Sequence, residues 1–171
     1  MTENSKLRLF AVSALFSALT VAATMIHLPV MSQGGYVHLG DSIIYLAAAL
    51  LPFRYAAPSA AIGGALADLL AGYFNWAPFT AVIKAMNVIP FLIVSKISDK
   101  KKIVCVKNII ACILSGIVTC GLYFLASRII YGSFAASIAD LPGNIIQAVG
   151  SAVIYILLGS ALDAAKFRLR G

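Results

Sequence analysis

The chain has 171 residues, 61% of them hydrophobic and only 11% charged. A soluble domain of this size cannot hide so much apolar surface, so lipid is the solvent for most of the chain. The formal net charge of +7 comes from thirteen Lys and Arg against six acids; the bases cluster in short loops and at the termini, where they act as topology signals and anionic-lipid contacts and not as a nucleic-acid surface.

Six apolar segments are predicted to cross the bilayer, giving an all-α integral membrane protein with a single six-helix domain over residues 1–171. Lys6 and Arg8 precede the first, Leu9–Ile26, which exceeds a signal-peptide core and lacks a convincing cleavage site, and is therefore read as a span. Ala14, Ala18 and Ala22 recur along it every four residues, a spacing that lets another helix backbone approach closely in lipid. That face serves either packing within the chain or docking of another membrane protein. The loop His27–Leu39 follows; its Leu28–Leu39 part has Pro29, Gly34 and Gly35 but no acid, Lys or Arg, and its length suits a lid as well as a connector.

The second segment, Gly40–Phe53, has about a dozen residues before Pro52, marginal for a full span and acceptable for a tilted or partly re-entrant helix buried in protein. Asp41 at its start is expected to cap the helix. His38 lies beside it in the loop. The third segment, Tyr55–Tyr73, carries a second small-residue stripe, Ser59, Gly63, Ala67 and Ala71, read as packing within the chain. The fourth is Pro78–Ser95, the fifth Ile103–Ala126 and the sixth Asn144–Leu162. Cys105, Cys112 and Cys120, at the head of and within the fifth, have no CxxC spacing and no acid or His alongside, so they are read as small packing residues; no metal site or cofactor is called for.

Basic residues set the orientation. Lys6, Arg8, Arg54, Lys96, Lys100, Lys101, Lys102, Lys107, Lys166, Arg168 and Arg170 fall on one side and only Arg128 on the other, which places both termini in the cytoplasm. The outer loops are then His27–Leu39, Phe74–Ala77 and Ser127–Gly143. His38, Asp41, Asp68, Lys84, Arg128, Asp140, Asn144 and Gln147 all lie at or near the outer face, above an inner half of Ala, Leu, Ile and Val. Such a distribution describes a pocket open to the outside with a sealed floor.

The richest stretch is Gly63–Lys84. Asp68 lies five residues before Tyr73 and Lys84 six after Pro78. At about 1.5 Å per residue, both sit roughly 8–9 Å inside the same membrane face. The two are expected to pair, either as a structural ion pair or as a ligand-contacting one, since intramembrane charges mark sites and pathways. Tyr73 and Trp76 fit an interfacial belt or a stacking face for a flat ring. Asn87, Asn144 and Gln147 supply directional hydrogen bonds, with Asn144 and Gln147 three apart on one helix face. The candidate substrate-binding set is His38, Asp41, Asp68, Tyr73, Trp76, Lys84, Asn87, Asn144 and Gln147.

No phosphate loop, H-E-x-x-H, nucleophile elbow or paired catalytic carboxylates occur, so the chain is not read as an enzyme, and any energy for pumping comes from a partner or an ion gradient. A stand-alone ion-coupled transporter using Asp68 and Lys84 for proton exchange is the second reading, although no inverted repeat or polar inner path is visible. A non-transporting structural subunit is the third.

The runs Gly35-Tyr36-Val37-His38-Leu39-Gly40-Asp41, Gly63-Gly64-Ala65-Leu66-Ala67-Asp68-Leu69-Leu70-Ala71-Gly72-Tyr73, Ala77-Pro78-Phe79-Thr80-Ala81-Val82-Ile83-Lys84 and Leu141-Pro142-Gly143-Asn144-Ile145-Ile146-Gln147 together resemble the substrate-binding S components of energy-coupling factor (ECF) vitamin transporters, in the riboflavin, hydroxymethylpyrimidine or pyridoxine branch. The resemblance runs from Ala11 to about Leu162. It implies a six-helix protein of the bacterial cytoplasmic membrane that binds one vitamin-like molecule from outside. It also implies association with a membrane coupling subunit and two cytosolic ATPases, toppling of the whole S component during transport, and docking through the first-helix stripe at Ala14 and Ala18.

Overall fold

The computed structural model describes residues 3–28, 37–95 and 102–167. Its helices are α1 (Glu3–Met25), α2 (Gly40–Leu50), α3 (Phe53–Leu70), α4 (Ala77–Met86), α5 (Ile89–Ser95), α6 (Val106–Tyr131) and α7 (Phe134–Ala164). A two-residue antiparallel ribbon, β1 (His27–Leu28) and β2 (Val37–His38), sets His27 opposite His38 and Leu28 opposite Val37. The expected lid falls largely on residues 29–36, which lie outside the described residues.

The burial pattern is that of a protein whose solvent is lipid. On α1, Ser13, Ser17, Thr20 and Thr24 face inward, whereas Leu15 and Leu19 are 57% and 42% exposed. The same inversion holds on α6 and α7, where Ile117 and Val149 point outward while Ser115, Thr119 and Ser151 are fully enclosed. Among the described residues four helical stretches are long and apolar enough to cross a membrane: Glu3–Met25, Ala77–Val94, Val106–Tyr131 and Phe134–Ala164. The chain is a membrane-embedded, multi-pass helical bundle.

Hydroxyls hold α1 on α3. The Ser13 Oγ donates to Tyr55 O (2.9 Å), Ser17 Oγ to Ser59 O (3.0 Å) and Ser59 Oγ back to Ser13 O (2.8 Å). The backbones come close enough for this because Gly63 has no side chain: a Cβ there meets Thr20 Cβ at 2.8 Å and Ser17 O at 2.9 Å. The small residues of α3 therefore pack inside the chain, while Ala14, Ala18 and Ala22 of α1 are exposed.

Local chemistry sets the ends. Leu51 is extended (φ −106°, ψ 151°) ahead of Pro52, which stops α2 after eleven residues. α2 is correspondingly buried, from Gly40 to Ala47 at every position but Ile43. α3 closes in a Schellman turn, with Gly72 at φ 84°, Gly72 N–H on Leu69 O and Tyr73 N–H on Asp68 O. The fourth segment is broken into α4 and α5, because Pro90 has no N–H for the carbonyl of Met86 and its ring crowds that carbonyl.

One expectation is corrected here. Ser127–Gly143 is not a loop. α6 runs on to Tyr131, left-handed Gly132 (φ 65°) ends it, and Ser133 caps α7 by accepting from Ala136 N–H (3.3 Å). Pro142 sits inside α7, a position membrane helices tolerate. At the far end of the bundle the Asp163 carboxylate accepts from Ile103 N (3.0 Å) and Val104 N (2.9 Å). Ile103 O in turn accepts from Asn108 Nδ2 (2.8 Å) and Tyr155 OH (2.5 Å). This ties the end of α7 to the start of α6.

The α1–α3 contact yields a test. Gly63→Val forces atoms into Thr20 and the Ser17 carbonyl, and overpacking of this kind costs about 1–3 kcal/mol. Thermal unfolding in detergent should show a clear drop for Gly63→Val and little change for Ile62→Ala, whose side chain is 53% exposed on the same helix.

Candidate functional site

The polar residues of four elements meet at one level of the bundle. Lys84 of α4 is 1% exposed and its Nζ lies 2.6 Å from Asp41 Oδ1 at the start of α2. The other oxygen, Oδ2, accepts from Gln147 Nε2 of α7 (2.9 Å). Gln147 Oε1 in turn accepts from His38 N of β2 (3.3 Å), and His38 Nδ1 accepts from Gly40 N (3.0 Å). Lys84 Nζ also stands 5.0 Å from the centre of the Tyr123 ring of α6. An ammonium in lipid is tolerable only with such compensation from a carboxylate and an aromatic face.

The Asp68–Lys84 pair expected from matching depth is corrected to Asp41–Lys84. Across from Lys84 on α3 stands Gly64, one turn before Asp68, and a Cβ at Gly64 meets Lys84 Cγ at 2.7 Å. The lysine stem passes over this glycine and reaches α2. Asp68 is buried and still attracts Lys84, with a smaller effect than Asp41. The capping role expected for Asp41 is corrected too: its carboxylate oxygens are engaged by Lys84 and Gln147, and it is the His38 ring that accepts from the first N–H of α2.

An aromatic cluster stands beside the lysine. Trp76, just before α4, lies 5.8 Å from Tyr123 and 6.0 Å from Tyr131 between ring centres, and donates from Nε1 to Tyr131 OH (3.1 Å). Thr80 Oγ1 and Tyr123 OH share a hydrogen bond (3.2 Å). Tyr73 is half-buried at the α3 turn. Asn87 and Asn144 are buried at 0% and 3% exposure, and Asp140 accepts from Ser127 Oγ (3.2 Å). Tyr123 was missed from the sequence. Its signal was the four-residue spacing Ser115, Thr119, Tyr123, Ser127, a polar stripe on an otherwise apolar helix.

His38 is held neutral. Its pKa is pushed down to about 3, first by burial and then by the nearby Lys84 charge. The Nδ1 lone pair is already engaged by Gly40 N–H, so protonation there also breaks a bond. A separate apolar concavity of about 560 Å³ lies between α6 and α7, lined by Cys112, Ile117, Phe124, Ile145 and Val149 among others. It has no polar anchor comparable to the network.

The comparisons with known proteins agree with this architecture. The profile of the family described as "ECF-type riboflavin transporter, S component" matches residues 4–164. The chain belongs to this S-component family. The S component is 32% identical over 145 residues to an uncharacterized protein of Pyrococcus woesei, described as lying in a gap 3′ region; the match covers 85% of this chain and 94% of that protein. Its fold is similar to that in the solved structure titled "Structure and mechanism of the S component of a bacterial ECF transporter", with a TM-score of 0.78 at 18% identity over 95% of this chain and 99% of that one. S components bind substrate for a transporter whose ATPase activity resides in other subunits.

Two predictions follow from the network of this S component. Lys84→Met or Asp41→Leu alone strands a buried partner, a loss of about 3–5 kcal/mol, and the Asp41→Leu/Lys84→Met double variant should recover much of it. In a double-mutant cycle read by thermal unfolding, Asp41 and Lys84 should couple strongly and Asp68→Asn with Lys84→Met more weakly. A stronger coupling of Lys84 to Asp68 than to Asp41 would return the pair to Asp68.

The second concerns pH. Because the folded-state pKa of His38 lies below its ordinary value of 6.5, its stabilising contribution is complete above pH 6.5 and is lost as pH falls toward 3. His38→Asn, whose Oδ1 can still accept from Gly40 N–H, should flatten the decline of the melting temperature between about pH 6.5 and pH 5. An unchanged slope would assign that decline to other groups.

Proposed function

We propose that this S component captures riboflavin, or a closely related flat heterocyclic vitamin, from the outer face of the cytoplasmic membrane. It delivers the ligand inward in complex with a membrane coupling subunit and two cytosolic ATPases. The observation that carries this reading is the enclosed Asp41–Lys84–Gln147–His38 network with the Tyr123 and Trp76 rings beside it. It is a concentration of charge and hydrogen-bonding capacity in an otherwise apolar bundle. Small-molecule pockets pair an apolar, aromatic wall with a few placed polar groups, and this level of the bundle has both. The family description, which names riboflavin, supports the choice of ligand.

In this reading six elements span the membrane, α4 and α5 counting as one interrupted helix, with both termini cytoplasmic as the basic residues require. Trp76 and Tyr73 stand at the outer mouth; Asn144, Gln147, Asn87 and Lys84 furnish the polar contacts, and Asp68 and Asp41 set the charge around the lysine. α1 carries the docking surface. Its hydroxyl face is consumed by α3, which leaves Ala14 and Ala18 exposed on the other side, where a partner helix can approach closely.

The test separates binding from coupling. Purified protein should bind riboflavin by calorimetry or flavin fluorescence quenching. Ala14→Trp and Ala18→Trp should leave that affinity unchanged yet abolish uptake in cells that contain the full complex. Uptake at the wild-type rate by normally expressed variants would move the docking surface off α1, and lack of any binding by the wild-type protein would reject riboflavin.

A further inference from the structure

A second polar level lies one helical turn below the network. Tyr45 follows Asp41 by four residues on α2, Asn87 follows Lys84 by three at the end of α4, Ser151 follows Gln147 by four on α7, and Thr119 precedes Tyr123 by four on α6. Each of these spacings keeps a side chain on the same helix face as the network residue above it. All four residues are 0% exposed. The Tyr45 and Thr119 hydroxyls are neighbours. The main chain at Asn87 is pinned through its carbonyl by Ser115 Oγ (2.7 Å), one turn from Thr119.

The hydrogen-bonding capacity of this level is largely unused within the protein. Both polar atoms of the Asn87 amide and Ser151 Oγ make no hydrogen bond among the described residues, and the Tyr45 and Thr119 hydroxyls have no partner there beyond each other. Buried polar atoms are almost always satisfied in native proteins, and groups left without a partner are costly. One such atom is an accident of packing; an amide with both edges open and a serine hydroxyl, beside a hydroxyl pair from two further helices, are a recognition surface. The level is closed beneath by aromatic rings: Tyr45 stacks on Phe91 at 5.7 Å, and Tyr155 meets both edge-on at 6.2 and 6.1 Å.

The chemistry of the level is specific. Among the described residues it has no carboxylate, lysine or histidine, so it suits an uncharged group. The Asn87 amide presents one donor edge and one acceptor edge in a plane, the complement of a ring C=O next to a ring N–H. The hydroxyls of Thr119, Ser151 and Tyr45 rotate to serve a further carbonyl.

We propose that Tyr45, Asn87, Thr119 and Ser151 form an inner subsite that takes the imide edge of a heterocycle, two ring carbonyls flanking an N–H, with Asn87 making the paired bonds. This deepens the riboflavin reading and rests on it. The charged level above handles the rest of the ligand, and the levels are about 5.4 Å apart, less than the length of a fused tricyclic ring. Pyridoxine and hydroxymethylpyrimidine have no imide edge, so the subsite discriminates by chemistry as well as size.

The test uses riboflavin and its N3-methyl analogue, in which the imide N–H is replaced, with the full-length protein in detergent. Methylation should weaken binding to the wild-type protein at least about tenfold, as expected of a site built around a substrate N–H. In Asn87→Leu, riboflavin should bind more weakly and the methylation penalty should shrink to less than about twofold. Thr119→Val, nearly isosteric, should keep the wild-type melting temperature and lose about threefold or more in riboflavin affinity. Equal binding of both ligands by the wild-type protein, or an undiminished penalty in Asn87→Leu, overturns the subsite and leaves this level to buried water. If Asn87→Leu fails to fold, an unchanged affinity in Thr119→Val overturns it alone. Riboflavin failing to bind the wild-type protein removes both the substrate reading and this inference, whereas binding with a misplaced penalty removes only the inference.

Discussion

The bundle is organised around a lysine that has to be charged inside a membrane. An ammonium in hydrocarbon is costly, and the cost falls only if an anion, hydrogen-bond acceptors and an aromatic face are brought to it. Asp41 meets that requirement at 2.6 Å, and the remaining arrangement follows from placing the two together. α2 has to be short and central so that its first turn reaches the middle of the molecule. Gly64 has to be bare so that the lysine stem can pass. Gln147 has to extend from α7 to take up the second carboxylate oxygen. A pair of this kind is a poor source of net stability compared with apolar packing, but it strongly disfavours any register in which one partner is missing.

Much of the helical layout was legible in the sequence, because lipid imposes one requirement on every exposed position. Hydropathy pointed to an all-helical membrane protein, the proline after Leu51 marked the shortness of α2, and the small-residue stripe of α3 packs inside the chain as expected, whereas the α1 stripe, for which packing and docking were both open, is exposed. The family was legible from its ordered motifs, and the profile match over residues 4–164 agrees.

What failed was lateral. Counting residues from a loop gives depth along the membrane normal, and it gave Asp68 and Lys84 similar depths; it does not say which helix lies across from which. Gly64 opposite Lys84, with Asp41 beyond it, is a fact of tertiary packing. Asp41 was assigned to a cap for the same reason, since a local rule cannot see a distant ammonium. The start of α7 was misplaced: the one break in this stretch is at left-handed Gly132, and Pro142 is absorbed within the helix. Tyr123 was overlooked because a lone tyrosine in an apolar run carries little weight until its four-residue partners are noticed.

The Asp163 clamp has a consequence for how this molecule can move. Ile103 and Val104 lie just before α6, whose first turn is roughly 25 Å of helix from Tyr123, so the carboxylate tie and the Tyr155 and Asn108 bonds fasten the end of the bundle remote from the network. Local opening takes the path with the fewest bonds to break, and that path leads away from the fastened end. The bundle is in this sense a cup with a sewn base. The rim, at the level of the network, is the side on which the bundle is free to open.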